Sequence, residues 1–207
     1  MKPFTIWFTG ISGSGKSTLS KRVYLEIKCR GLKAELLDGD IIRTNFSQEL
    51  GFTKRDRDIN VKRIGFLSWL LNKHGIISVV AAIAPYEETR NLNRLLIPNY
   101  IEVFCNCPVE IAEKRDPKGL YARARRGEIP NFTGISDPYE PPKSPEIVVY
   151  TAKETIEESF NRIIEYLVNQ KLIPNKIKQK IVPEELEKEE RILREYLKNL
   201  GFARKGW

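Results

Sequence analysis

The sequence predicts an α/β fold: a parallel five-stranded sheet with helices on both faces, three layers in all, followed by a charged helical extension. Three observations lead there. Short apolar runs alternate along the chain with longer stretches of helical period, the pattern of strands joined by crossover helices. The first apolar run ends in a glycine-rich turn that opens directly into an amphipathic segment, as a strand–turn–helix unit requires. The length of 207 residues, 41% hydrophobic and 30% charged, suits one buried core with an appendage.

Taken in order, Phe4 to Phe8 is an apolar, aromatic run that reads as a buried strand. Leu19, Val23 and Ile27 then recur every four residues, giving a helix with one apolar face that ends near Gly31. Ala34 to Leu37 is a second strand, closed by what reads as a turn at Asp38-Gly39-Asp40. Ile64, Leu67 and Leu71 mark a helix that stops near Gly75, with His74 at its end. Ile76 to Ala82, Tyr100 to Cys105 and Glu146 to Val149 are expected as the remaining strands. Ile156, Phe160, Ile163, Ile164 and Leu167 form the stripe of the last core helix. Residues 116–145, rich in Pro, Gly and Arg, show no sustained period and are long for a connection, so a functional lid is expected there. The core domain is expected to close near residue 173. Residues 174–207 then form the appendage, with a helix start at Pro183-Glu184-Glu185.

The chain carries 35 Lys+Arg against 27 Asp+Glu, a net charge of +8. Nucleic acid, an anionic membrane surface or a small polyanionic ligand would each suit that balance. The longest apolar run, Ile76 to Ala84, is too short to cross a bilayer. The first residues run straight into a strand pattern, so no signal peptide is expected. Three cysteines cannot build a disulfide framework, which suits the cytoplasm. Cys105-Asn106-Cys107 lacks the further ligands that structural zinc needs.

Gly10-Ile11-Ser12-Gly13-Ser14-Gly15-Lys16-Ser17, followed by Thr18, satisfies G-x-x-x-x-G-K-[ST] in the required strand-to-helix context. Glycines let successive backbone N–H groups turn inward around phosphate oxygens, and the helix amino terminus adds a favourable dipole. Lys16 is placed to reach the β- and γ-phosphates of ATP, and the Ser17 hydroxyl to ligate Mg²⁺. This is a nucleoside triphosphate site of the P-loop NTPase type. The guanine-reading N-K-x-D tetrapeptide of switch GTPases does not occur. Instead the second strand leads into Asp38-Gly39-Asp40 with Arg43 just beyond. Ligands bind at the carboxyl ends of strands in open α/β sheets, so these carboxylates face the phosphates. One can hold Mg²⁺ through water while the other accepts a proton from an acceptor hydroxyl, although such a cluster is also a common turn former. Downstream, Phe52, Arg57 and Asn60 can clamp an anion and stack on a base. A core Phe52 with solvated charges is the alternative reading of that segment.

With these residues in hand, the chain resembles the adenylyl-sulfate kinases over about residues 3–170. The most specific matches lie in the long loop: Lys118-Gly119-Leu120-Tyr121, Gly127-Glu128-Ile129, Phe132-Thr133-Gly134-Ile135 and Pro138-Tyr139-Glu140-Pro141-Pro142. The resemblance implies transfer of the ATP γ-phosphate to the 3′-hydroxyl of adenosine 5′-phosphosulfate, with this loop closing over both nucleotides. It implies that Asp38, Gly39, Asp40, Arg43, Phe52, Arg57 and Asn60 hold the acceptor, with Ile83 and Ala84 as backbone contacts. Lys118, Leu120, Phe132 and Thr133 would contact it from the lid, Phe52 and Phe132 facing each other across its adenine. Asp40 is expected as the base and Asp38 beside the metal-bound water, while Arg115 and Ala152 are expected near the ATP adenine. Lys114 to Glu128 contains six basic and two acidic residues, which the resemblance would turn toward phosphate and sulfate.

One position departs from the family. Where many members carry a serine that has been proposed as a phosphorylated intermediate, this chain has Ala84. A phosphoserine route there is excluded, direct in-line transfer is expected, and the position leaves room for a different anionic nucleotide as acceptor. The remaining alternative is a nucleotide-dependent nucleic-acid-binding module, which a steep loss of affinity with salt would reveal. No nucleic-acid or membrane partner is expected; the resemblance makes a homodimer the default and leaves open a separate sulfurylase partner.

Overall fold

The structure, a computed structural model, describes residues 2–176 together with Arg191 and Glu195. Apart from those positions, the expected extension over 174–207 lies outside the described residues. Strands β1 (Thr5–Thr9), β2 (Ala34–Asp38), β3 (Ile77–Ala81), β4 (Tyr100–Asn106) and β5 (Ile147–Tyr150) form one sheet in the order β2-β3-β1-β4-β5. Every pairing is parallel.

Alternation along β1 feeds both layers. Ile6 and Phe8 enter the core formed with α1 (Lys16–Cys29) and α7 (Ile156–Asn169). Trp7 points the other way, into the core formed with α3 (Lys54–Lys73). Helix α3 is started by a capping box in which Thr53 and Asp56 satisfy each other's backbone N–H groups. Thr155 and Glu158 do the same for α7. Against α3 lies α4 (Glu87–Leu96). Gly65 is the point of closest approach, since a Cβ there would stand 2.1 Å from Asn93 Oδ1. The outer surface of this pair leaves Phe66, Leu70, Leu92 and Leu95 exposed, Leu95 at 84%.

Three sequence expectations change. Asp38-Gly39-Asp40 is not a free turn: Asp38 ends β2 and caps α2 (Gly39–Phe46), its carboxylate accepting from the Asp40 N–H at 2.9 Å. Ile156, expected in the apolar stripe of α7, is 53% exposed because it begins the helix at the cavity rim. Residues 116–145 are partly regular: α5 (Val109–Arg115) precedes α6 (Leu120–Arg125), and the segment has a small core of its own around Tyr121, Ala124 and Phe132. No helix among the described residues is long and apolar enough to cross a membrane.

Candidate active site

A cavity of about 700 Å³ opens at the carboxyl ends of the strands, beside the switch in strand order between β1 and its two neighbours. Its floor at one end is the turn after β1. Gly10 has φ +146° and Gly13 φ +72°; a Cβ at either would meet a carbonyl oxygen, of Cys105 at 2.7 Å and of Ala112 at 2.8 Å. Ser12, Gly13, Gly15, Lys16, Ser17 and Thr18 line the cavity. Gly10 and Ser14 are not on its wall: Ser14 is fully buried, its hydroxyl without a hydrogen-bond partner among the described residues. Lys16 lies across the turn and donates to the Ile11 carbonyl at 2.7 Å. Burial lowers its pKa to about 8, against the pull of Cys105, Asp40 and Asp38 and with the repulsion of Lys118.

The middle of the cavity is acidic. Ser17 Oγ donates to Asp38 Oδ2 at 3.2 Å, so that hydroxyl and carboxylate stand together. Asp40 pairs with Lys118 of the lid, a contact spanning 78 positions of sequence. At the far end lie Gly39, Arg43, Phe52, Arg57, Asn60, Ile83 and Ala84, with Leu120, Phe132 and Thr133 from the lid. The Arg43 guanidinium sits 4.3 Å from the centre of the Phe52 ring. Phe52 is 40% exposed, which sets aside its alternative reading as a core residue. Arg57 is held by the carbonyls of Phe52 and Asn131 and lies 3.7 Å from Asp137.

The lid docks on the phosphate loop through Tyr121, fully buried, whose hydroxyl donates to the Ser12 carbonyl at 2.8 Å. Its ring meets Phe132 edge-on, with centroids 5.0 Å apart. The basic run of the lid divides. Arg115 and Lys118 line the cavity, whereas Arg125 pairs outward with Glu113, and Arg123 and Arg126 with Glu128. Those three do not face the ligand space.

Arg115 ties the phosphate loop to the loop after β5 by donating to Gly13 and Thr151 carbonyls. Thr151 lines the cavity there, while Ala152 is exposed and off the wall. Sequence reasoning missed Glu154, Thr155 and Ile156, which complete that rim. The Thr155-x-x-Glu158 box was the signal that a helix amino terminus would be presented to the cavity.

The donor set around Ser17 and Asp38 offers two oxygens, and no group of three or more His, Cys, Asp or Glu that could hold a metal occurs among the described residues. That chemistry fits Mg²⁺, which is bound through one or two protein oxygens plus substrate phosphates.

A sequence profile of the Adenylylsulphate kinase family matches residues 2–150. The adenylyl-sulfate kinase of Halothermothrix orenii is 51% identical over 166 residues, 80% of this chain and 90% of that one. A probable bifunctional SAT/APS kinase 2 of Sorangium cellulosum is 49% identical over 176 residues; these cover 85% of this chain but 30% of that longer protein. Among solved structures, the Mycobacterium tuberculosis APS kinase CysC in complex with AMPPNP and APS superposes with a TM-score of 0.77 at 41% identity, covering 81% of this chain and 98% of that one.

Proposed function

The chain belongs to the adenylyl-sulfate kinase family and is an ATP-dependent kinase of adenosine 5′-phosphosulfate, and from that premise we infer that the transfer is direct, between two nucleotides bound end to end in one cavity. The observation that carries this reading is the continuity of the cavity. The phosphate loop, the Asp38–Asp40 pair and the Phe52–Arg57–Phe132 end all line the same 700 Å³ space.

Lys16 and the loop amides hold the triphosphate, with Thr151, Arg115 and the start of α7 around the ATP base. Phe52 and Phe132 flank the acceptor base, and Arg43, Arg57 and Asn60 hold its phosphosulfate and sugar. The acceptor hydroxyl enters beside Asp40, whose carboxylate takes its proton as Lys118 turns from Asp40 to the moving phosphoryl group. The bond from the 3′-oxygen to the γ-phosphorus forms while the bond to the β,γ-bridging oxygen breaks, releasing ADP and 3′-phosphoadenosine 5′-phosphosulfate. Ser17, and Asp38 through water, would hold Mg²⁺, which would supply neutralisation of phosphate charge. Ala84 carries no hydroxyl, so the phosphoryl group does not rest on the protein there.

A coupled ATPase assay across a panel of acceptor nucleotides tests the reading. Turnover with adenosine phosphosulfate, lost in Lys16→Ala and reduced about 10²- to 10⁴-fold in Asp40→Ala, is the expected result. Turnover only with some other acceptor, or a kinetically competent phosphoprotein in rapid-quench samples, overturns it.

We further propose residues 1–173 as the kinase domain. Ile173 is a core residue, and the Pro174 carbonyl is held by Arg30. The three cysteines are free thiols, which supports a reducing, cytoplasmic setting. The exposed side chains of α3 and α4 support the homodimer, which sedimentation should detect as a doubled mass.

A further inference from the structure

Ala84 is the one residue of the β3–α4 connection held in a left-handed backbone conformation, with φ +45°. An alanine takes that conformation only where its surroundings impose it. The buried group that grips it here is Arg90 of α4, 2% exposed. One guanidinium nitrogen donates to the Ala84 carbonyl at 2.7 Å and the other to the Glu140 carbonyl, also at 2.7 Å. The remaining nitrogen, Nε, lies 3.1 Å from the buried Glu102 carboxylate of β4. Burial pushes the Glu102 carboxyl up, while Arg90 and then Arg94 pull it down. Glu146 pairs with Arg94 and closes a balanced group of two cations and two anions. Beside it, Thr9 donates to the neighbouring Ile83 carbonyl at 2.6 Å and shares a bond with Tyr139.

We propose that Arg90 is a positioning residue of the acceptor-nucleotide site: fixed by Glu102, its guanidinium holds the left-handed turn at Ala84 and the return leg of the lid at Glu140 in one register. Arg90 is absent from the cavity wall, whereas Ala82, Ile83, Ala84 and Pro85 form part of it. Its effect therefore reaches the ligand only through backbone. Lysine cannot replace it, because a single ammonium on a shorter side chain lacks the planar fork that spans two carbonyls and a carboxylate. The inference rests on the reading of this end of the cavity as the acceptor site.

The test varies adenosine phosphosulfate and ATP separately. Arg90→Lys should raise KM for the acceptor about tenfold while KM for ATP stays within about twofold. Glycine occupies a left-handed backbone without steric cost, so Ala84→Gly in the Arg90→Lys background should recover about threefold of that loss. Rescue by glycine is a result that mere loss of packing would not give. If Arg90→Lys does not fold, Glu102→Gln and its pair with Ala84→Gly give the same comparison through the group that fixes the guanidinium. Equal rises in both KM values, a lowered Tm with an unchanged acceptor KM, or no rescue by glycine would each overturn the proposal. A wild-type protein that turns over a different anionic nucleotide refutes the substrate assignment instead, and the KM comparison is then read on that nucleotide.

Discussion

Lys16 gives ATP binding a pH dependence whose sign and size follow from its burial. In the free protein its pKa is lowered to about 8, burial being the largest cause. A triphosphate placed against the ammonium favours the charged form and returns the pKa toward or above its ordinary range of about 10.4. The free form therefore loses its proton at lower pH than the bound form, and binding above pH 8 takes a proton up. Affinity should be flat below about pH 7, where roughly nine-tenths of Lys16 is charged. By pH 9 only about one-tenth is charged, and Kd should be about tenfold weaker, close to 1.4 kcal/mol. Calorimetric titration with a non-hydrolysable ATP analogue, in buffers of different ionisation heat, should count about 0.5 proton taken up at pH 8 and about 0.9 at pH 9. Cys105 is pushed up to about 12 by the same burial, so its thiol does not contribute in this window. Lys16→Arg, charged throughout, should abolish the uptake whatever its affinity. A pH-independent Kd between 7 and 9 in the wild type, or proton release on binding, would refute the reasoning.

Two further outcomes test the lid. Tyr121→Phe keeps the ring on Phe132 but orphans the Ser12 carbonyl, a loss of about 1–2 kcal/mol; Tm should fall by several degrees and KM for ATP should rise. Arg125→Gln removes a cation whose partner is Glu113 at 2.9 Å on the outer surface, so both KM values should stay within about twofold, whereas Arg115→Gln should raise KM for ATP several-fold in the same steady-state assay.

The order of strands and helices and the phosphate loop were legible because both obey local rules. A buried parallel strand reads as a short apolar run, and the loop compresses its requirement for phosphate into eight consecutive residues. The lid arginines mark the limit of that legibility. By charge and composition alone Arg123, Arg125 and Arg126 are indistinguishable from Arg115 and Lys118, which only the family resemblance singled out. Helix α6 separates them, because burying Tyr121 and Ala124 turns the other face, with Arg123 and Arg125, toward solvent and the two glutamates. The Arg90 cluster was illegible for a different reason. A glutamate inside a strand and an arginine on a helix read as solvated charges until Glu102, Arg90, Arg94 and Glu146 are brought together from three elements. Ala84 likewise shows nothing in sequence of its left-handed backbone, and the proline that follows would favour an extended one.

The lid is fastened unequally at its two ends, and the inequality sets which end can move. The return leg is bound to the acceptor loop by Asp137 with Tyr86 at 2.6 Å, Glu140 N–H with the Pro85 carbonyl at 2.8 Å, and the Glu140 carboxylate with Glu87 N–H at 2.7 Å. Arg90 adds a hydrogen bond from its buried guanidinium to the Glu140 carbonyl, and a hydrogen bond from a charged group is worth about 1.5–3 kcal/mol. The leading leg is held over the acceptor end by the exposed Lys118–Asp40 pair, and exposed pairs are worth about 0–1 kcal/mol. The expected route of nucleotide entry is therefore lifting of residues 116–120 with the wall at 83–87 and 137–140 held; hydrogen exchange should show the amides of 116–120 opening first, and earlier exchange at 137–140 would refute it. On the proposed mechanism the weak contact is also the one that the reaction breaks, since Asp40 would exchange Lys118 for the acceptor hydroxyl. The lid would then open where its charge pairing is replaced by substrate and stay closed where its bonds define the shape of the site.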